Sequence, residues 1–295
     1  MKSGFVSIVG RPNVGKSTLI NKILNKKIAI TSDKVGTTRN IIYGIYNEEN
    51  YQIVFIDTPG IHKADNKLGG LLNKKAFAMA TDNELVLFLV DIASGFGKGD
   101  MKILDHLKEE NKEVILVLNK IDLIDKNKLL LEISKLKDLY DFKEIVPISS
   151  LTGDNVSDLI NSIKKYLKDD VKYFPDEVLT NVNEDFMIGE IIREKVLQNT
   201  KEEVPHSVTC RTELVQKKKG VYHINALIIV DRDNLKSIII GKNGQMLKKI
   251  GTEARSELEA YLNGKVYLEL FVKTIKNWRN SEYYLKDLGF DELDN

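Results

Sequence analysis

The segment Gly10-Arg11-Pro12-Asn13-Val14-Gly15-Lys16-Ser17 fits the pattern G-x-x-x-x-G-K-S. It stands between an apolar run, Phe5 to Val9, and a stretch with helical patterning, about Ser17 to Leu24. A strand, a glycine-bearing loop and a helix in that order make a cradle for phosphate. The glycines let main-chain N–H groups turn inward, and the helix N-terminus adds positive potential at the same place. Lys16 is then expected to reach the β- and γ-phosphates, and the Ser17 hydroxyl to ligate Mg²⁺.

Further apolar runs follow at Ile53 to Ile56, Leu85 to Val90, Val114 to Leu118 and Ile145 to Ile148, separated by helical patterns at Met101 to Glu110, Lys128 to Leu139 and Val156 to Leu167. Near-continuous apolar strands alternating with helices predict a doubly wound α/β domain with a mostly parallel sheet covered on both faces. A chain of 295 residues leaves room for a second domain. The expected division is a nucleotide domain over 1–170, a linker over 171–184 and a smaller α+β domain over 185–295. The apolar runs are of strand length, too short to span a bilayer. The single cysteine, Cys210, reads as a small apolar strand residue and fits a reducing cytosol. With a net charge of +1, contact with nucleic acid must come from a local patch.

Three more motifs follow predicted strands. Asp57-Thr58-Pro59-Gly60 ends the run Ile53 to Ile56. Its carboxylate would point into the phosphate crevice and hold Mg²⁺, while the Gly60 N–H senses the γ-phosphate. Asn119-Lys120-Ile121-Asp122 ends the run Val114 to Leu118. A carboxylate at Asp122 can accept from guanine N1–H and the exocyclic amine, a donor pair that adenine lacks, so the expected nucleotide is GTP. Lys120 would lie along the base, Asn119 would brace neighbouring loops, and Ser149-Ser150-Leu151 would close the base pocket. Taken in order, these motifs resemble those of the translation-factor-type GTPases. The resemblance makes Gly36-Thr37-Thr38-Arg39 a switch segment, with Thr38 the favoured Mg²⁺ ligand and the adjacent Thr37 the alternative. The expected catalytic set is Lys16, Thr38, Asp57 and Gly60. Ile61 stands where Ras-like enzymes place a water-orienting glutamine, so slow intrinsic turnover is expected. The neighbouring His62 reads as a surface-loop residue. Asn13 either helps to bind K⁺, as in related GTPases, or only shapes the loop.

Beyond the linker, a helix over about Asp185 to Leu197 precedes two strands, Val208 to Val215 and Tyr222 to Val230, joined by a lysine-rich turn. Ile240-Gly241-Lys242-Asn243-Gly244 then lies between two helical stretches, and a last strand covers Val266 to Val272. The order helix, strand, strand, helix, loop, helix, strand matches a type II KH domain. Its G-x-x-G loop clamps the backbone of a single RNA strand, with Lys242, Lys248 and Lys249 supplying charge. The stripe Leu247, Ile250, Ala254, Leu258, Tyr261 and Leu262 reads as core.

The pairing of these motifs with Glu203-Val204-Pro205-His206-Ser207-Val208, with Leu247 to Arg255 and with Trp278-Arg279-Asn280 resembles the Era family of bacterial GTPases over nearly the whole chain. The resemblance implies a cytosolic, monomeric assembly factor for the 30S ribosomal subunit that binds 16S rRNA near its 3′ end, with peripheral contact to the inner membrane. The alternative is a membrane-associated GTPase that regulates cell cycle or division. Asn243 departs from the small residue usual in that family, at a position within G-x-x-G that varies.

Overall fold

The computed structural model describes residues 1–61, 63–83 and 85–290. They form two compact units. The first comprises Met1–Ala29, Thr38–Asp65 and Gly69–Asn181; the second comprises Ile30–Thr37, Asn66–Leu68 and the chain from Val182 onward.

In the first unit the chain runs β1 (Lys2–Val9), α1 (Lys16–Leu24), β2 (Ile42–Glu48), β3 (Tyr51–Asp57), α2 (Lys67–Asp82), β4 (Leu85–Asp91), α3 (Lys98–Glu109), β5 (Glu113–Asn119), α4 (Lys126–Leu136), β6 (Glu144–Pro147) and α5 (Val156–Lys164). The sheet order is β2-β3-β1-β4-β5-β6. β2 pairs antiparallel with β3, and the other described pairings in this sheet are parallel. The Val, Ile and Leu residues of β1, β4 and β5, with Phe88, are buried on both faces, as a sheet sandwiched by helices requires. The register pairs Ile8 with Asp57 and Asp91 with Asn119. Asp57, Asp91 and Asn119 thus emerge at the C-terminal ends of parallel strands, where a doubly wound sheet binds its ligand.

Sequence reading did not anticipate β2 or α2. β2 is an edge strand with Gly44 in its middle and two half-buried tyrosines, so it lacks an apolar run. α2 carries Gly69-Gly70, which weakens a helical pattern. Residues 169–181 run along the first unit. The Gln52 amide, fully buried, accepts from the Tyr173 and Phe174 N–H groups at 2.8 and 3.0 Å and donates to the Phe174 carbonyl. The Ile45 N–H donates to the Leu179 carbonyl at 2.9 Å.

In the second unit follow α6 (Glu184–Asn199), α7 (Val204–Ser207), β7 (Thr209–Lys218), β8 (Val221–Val230), α8 (Asp233–Ile240), α9 (Gln245–Tyr261), β9 (Lys265–Thr274) and α10 (Glu282–Asp287). Asn183 caps α6 by accepting from the Phe186 N–H at 2.8 Å. β8 pairs antiparallel with β7 and parallel with β9. The core joins Ile188 and Ile192 of α6, Ile224, Ala226 and Ile228 of β8, and Ile250, Ala254 and Leu258 of α9. Cys210 is half-buried in β7. After β9, Trp278 is fully buried and donates from Nε1 to the Ser207 carbonyl at 2.9 Å.

Candidate nucleotide and RNA sites

The phosphate cradle begins where β1 ends. Gly15 has φ of +102°, and a Cβ there would lie 2.2 Å from the Asn119 amide nitrogen, so the loop can close on Asn119 only with glycine. Asn119 is buried. It donates from Nδ2 to the Val14 carbonyl at 2.7 Å and accepts from Ser150 N–H and Oγ at 2.9 and 2.8 Å. These bonds tie the phosphate loop to the loop that carries Ser150. Arg11 turns its side chain away from the cradle, donating to Asp100 Oδ1 at 2.9 Å and to the Gly95 carbonyl at 3.0 Å. What Arg11 offers phosphate is therefore main chain. Pro12 has no N–H to give. Asn13 is exposed in the left-handed region, at φ of +65°.

Lys16 is buried and its ammonium lies near the Gly10 and Arg11 carbonyls, at 3.4 and 3.2 Å. Burial pushes its pKa down, with the Asp57 charge opposing. Asp57 is fully buried, and burial raises its pKa against Lys16, Ser17 and Thr38. Ser17 Oγ donates to Asp57 Oδ2 at 2.7 Å and lies 2.9 Å from Thr38 Oγ1. The other Asp57 oxygen, Oδ1, is buried with no hydrogen-bond partner. Two hydroxyls and a carboxylate with a spare buried oxygen fit the hard-oxygen requirement of Mg²⁺, an ion that takes its remaining ligands from water and phosphate. Thr37 is not brought there. Its hydroxyl donates to the Lys34 carbonyl at 2.6 Å.

Thr58 is buried and donates from Oγ1 to the Ile8 carbonyl at 2.8 Å, which fixes the chain leading through Pro59 to Gly60. The Ile61 N–H donates to the Gly10 carbonyl at 3.4 Å, closing this loop against the cradle. His62 lies outside the described residues. At the base end, Asp122 sits exposed in a 3₁₀ turn, Ile121–Leu123, and accepts from Ser149 Oγ at 2.5 Å. The Ile121 N–H donates to the Ile148 carbonyl at 3.2 Å, and Leu151 is exposed. Lys120 donates to Asp91 Oδ2 at 2.7 Å. Burial alone would push the Asp91 carboxyl up, but Lys120 and Ser94 hold it below the ordinary carboxylate range. Sequence reasoning missed Asp91 and Asp100. The signal for Asp91 was present, since it ends the apolar run of β4 just as Asp57 ends β3.

In the second unit Gly241 has φ of +71°, and a Cβ there would come within 2.7 Å of Met246. Lys242 and Asn243 are exposed at the tip of the loop and Ile240 is half-buried behind it. A groove of about 430 Å³ runs from this loop between α9 and β9. Gly244, Leu247, Lys248, Gly251, Thr252 and Arg255 line one side, and Tyr267, Leu268 and Leu270 the other. Ile250, Ala254, Leu258 and Leu262 of the predicted stripe are core, but Leu247 lines the groove. Lys249 does not face it and lies 3.9 Å from Glu253 on another face of the helix. Sequence reading missed Arg255, Tyr267 and Leu270 as groove residues. The spacing of Gly244, Leu247, Gly251 and Arg255 along one helical face was the available signal.

The family described as 50S ribosome-binding GTPase matches residues 5–120, and the KH domain family matches residues 203–279. A crystal structure of an Aquifex aeolicus Era variant bound to GDP and AlF4⁻ is 40% identical, with a TM-score of 0.94 over 98% of this chain and 99% of that one. A second structure, Era in complex with MgGDPNP and nucleotides 1506–1542 of 16S ribosomal RNA, is 41% identical, with a TM-score of 0.94 over the same shares of each chain. Among the described residues no helix is long and apolar enough to cross a membrane.

Proposed function

Because the chain belongs to the Era family of GTPases, whose members join a GTP-hydrolysing unit to a KH domain, we propose how its residues divide the work of a GTP-driven switch on 16S rRNA. The observation that supports this most is that Ser17 Oγ lies 2.7 Å from Asp57 Oδ2 and 2.9 Å from Thr38 Oγ1, beside a buried lysine. Mg²⁺ bound there bridges phosphate oxygens and draws off their negative charge. The N–H groups of the loop 10–17 cradle the triphosphate, and Lys16 moves from the Gly10 and Arg11 carbonyls to its β- and γ-oxygens. Thr38 offers its hydroxyl to the metal and its N–H to the γ-phosphate. Gly60 offers a second N–H to that phosphate. Asp122, oriented by Ser149, selects guanine.

Hydrolysis adds water oxygen to the γ-phosphorus, breaks its bond to the bridging oxygen, and yields GDP and phosphate. The side chain of Ile61 cannot orient that water, so turnover depends on what else reaches it. Asn13, exposed beside the cradle, is the residue that would hold K⁺ there and spread positive charge over the transition state.

The groove between α9 and β9 takes single-stranded RNA at the 3′ end of 16S rRNA. Glycines at 241 and 244 admit the sugar–phosphate backbone, Lys242, Lys248 and Arg255 meet its charge, and Leu247, Tyr267 and Leu270 contact bases. The biological role is assembly of the 30S subunit, with GTP hydrolysis releasing the protein. The test measures GTP turnover with and without a 16S 3′-end oligonucleotide, in K⁺ and in Na⁺. Faster turnover with RNA and in K⁺ supports the reading. Equal rates in all four conditions overturn both the RNA coupling and the K⁺ role.

A further inference from the structure

The segment Ile30–Thr37 belongs to the unit that carries the RNA groove, although it precedes Thr38 directly in the chain. Ile30 is 2% exposed within the core built by α6, β8 and α9. One residue on, the Thr31 N–H donates to Glu194 Oε1 at 2.8 Å. At the other end of the segment, the Thr37 carbonyl accepts from Arg193 Nη2. The two anchors are consecutive residues of α6.

Arg193 is fully buried, and Glu190 accepts from its Nε and Nη2 at 2.7 Å each. A guanidinium removed from water needs its donors filled, and the Thr37 carbonyl fills part of that need. Glu194 is buried as well. Neither residue can give up its partner in this segment without leaving a buried polar group poorly satisfied. The clamp is therefore stiff at both ends, and the Thr37 hydroxyl stitches the stretch between them to the Lys34 carbonyl.

The Thr37 carbonyl and the Thr38 N–H belong to one planar peptide unit. Fixing the direction of the first fixes the direction of the second. We propose that Arg193 and Glu194 are positioning residues for Thr38: from α6 of the KH unit they clamp the preceding segment, orient the Thr38 N–H for a γ-phosphate, and make triphosphate binding felt in the unit that binds RNA. This rests on the reading of Thr38 given above. By linkage, whatever the clamp adds to triphosphate affinity, triphosphate adds to the clamped state of α6. GDP has no γ-phosphate and gains nothing from an oriented Thr38 N–H. A clamp role and a merely structural role therefore differ in one readout, the preference for triphosphate over diphosphate.

The experiment measures the affinities of the full-length chain for GTPγS and GDP with Mg²⁺, with thermal unfolding and nucleotide-free RNA binding as checks of fold. Arg193→Met and Glu194→Ala are expected to lower the GTPγS preference at least fivefold, the low end of ordinary coupling between sites, with GDP affinity little changed. Glu194→Gln, which keeps an acceptor for the Thr31 N–H, restores the preference. Thr38→Ala removes only the hydroxyl and keeps the main-chain N–H, so in that background Arg193→Met still lowers the preference. Should Arg193→Met fail to fold, the Glu194→Ala and Glu194→Gln pair decides. Loss of preference in Thr38→Ala together with wild-type preference in the clamp variants overturns the clamp alone. Wild-type preference in Thr38→Ala overturns the metal role of its hydroxyl in the proposed function, while the clamp, which acts on the N–H, stands or falls with the Arg193 and Glu194 variants.

Discussion

Asn119 ties the phosphate loop to the base loop: its amide nitrogen donates to the Val14 carbonyl at 2.7 Å while its oxygen takes both donors of Ser150. The residue touches neither end of the nucleotide by necessity, yet it sets the distance between the two. Asn119→Ala removes three buried hydrogen bonds at about 1 kcal/mol each. The expected result is a loss of affinity of roughly 100-fold, equal for GTP and GDP. Fluorescent-nucleotide titration checks it, and a loss confined to GTP would contradict the bracing role.

Gly15 meets the same amide from the other side. At φ of +102°, with a Cβ position 2.2 Å from Asn119 Nδ2, no side chain fits without moving one of the two loops. Gly15→Ala is expected to abolish measurable nucleotide binding. RNA binding without nucleotide is retained, since the KH unit has its own core. Parallel nucleotide and RNA titrations of this variant separate the two effects.

How far the site was readable follows from what fixes each residue. Asp57, Asn119 and Asp122 stand where a ligand of known chemistry meets the end of a strand, so their types and spacing carried the message. Ser17 followed from the phosphate-loop motif and Thr38 from the family resemblance, and the fold brings them together. The choice between Thr37 and Thr38 was open because a tandem threonine has no spacing to separate its members. Arg193 and Glu194 could not be read at all. Their partners lie 156 and 163 residues away, in a segment with no apolar run, and their helix looks like an ordinary charged one. β2 and the folded segment around Trp278 were missed for a related reason, since an edge strand and a single buried indole acquire meaning only from what they pack on.

The two threonines give a direct comparison. Thr38→Ala removes a hydroxyl 2.9 Å from Ser17 Oγ, whereas Thr37→Ala removes one that donates to the Lys34 carbonyl. Thr38→Ala is expected to slow GTP turnover by about 100-fold or more, in line with loss of a ligand to the ion that stabilises transition-state charge. Thr37→Ala stays within about fivefold, the cost of one net hydrogen bond of about 1 kcal/mol. Single-turnover kinetics at saturating Mg²⁺ distinguishes them, and the reverse order would move the metal ligand to Thr37.

Asp91 gives a pH signature. Its carboxyl is held below the ordinary range by Lys120 and Ser94 despite burial. A carboxyl depressed in the folded state stabilises fully above its unfolded pKa, about 4, and loses that contribution as pH falls through the folded value. Asp91→Asn is therefore expected to melt lower than wild type by a constant margin above about pH 5, with the margin shrinking below about pH 4. Melting curves from pH 3 to 7 check the sign. A margin that grows toward acid would mean that Asp91 is not the stabilised anion.

The adjacent lysines of α9 test the groove. Lys248 lines it beside Arg255, whereas Lys249 lies 3.9 Å from Glu253 on another face. If RNA follows the groove, Lys248 neutralises a phosphate and Lys249 does not. Lys248→Ala should weaken binding of a 16S 3′-end oligonucleotide and reduce the slope of log affinity against log salt by about 1. Lys249→Ala should leave both unchanged. Binding isotherms at several KCl concentrations read the two slopes. Equal slope losses for the two variants would mean that the phosphate path crosses α9 rather than following the channel between α9 and β9.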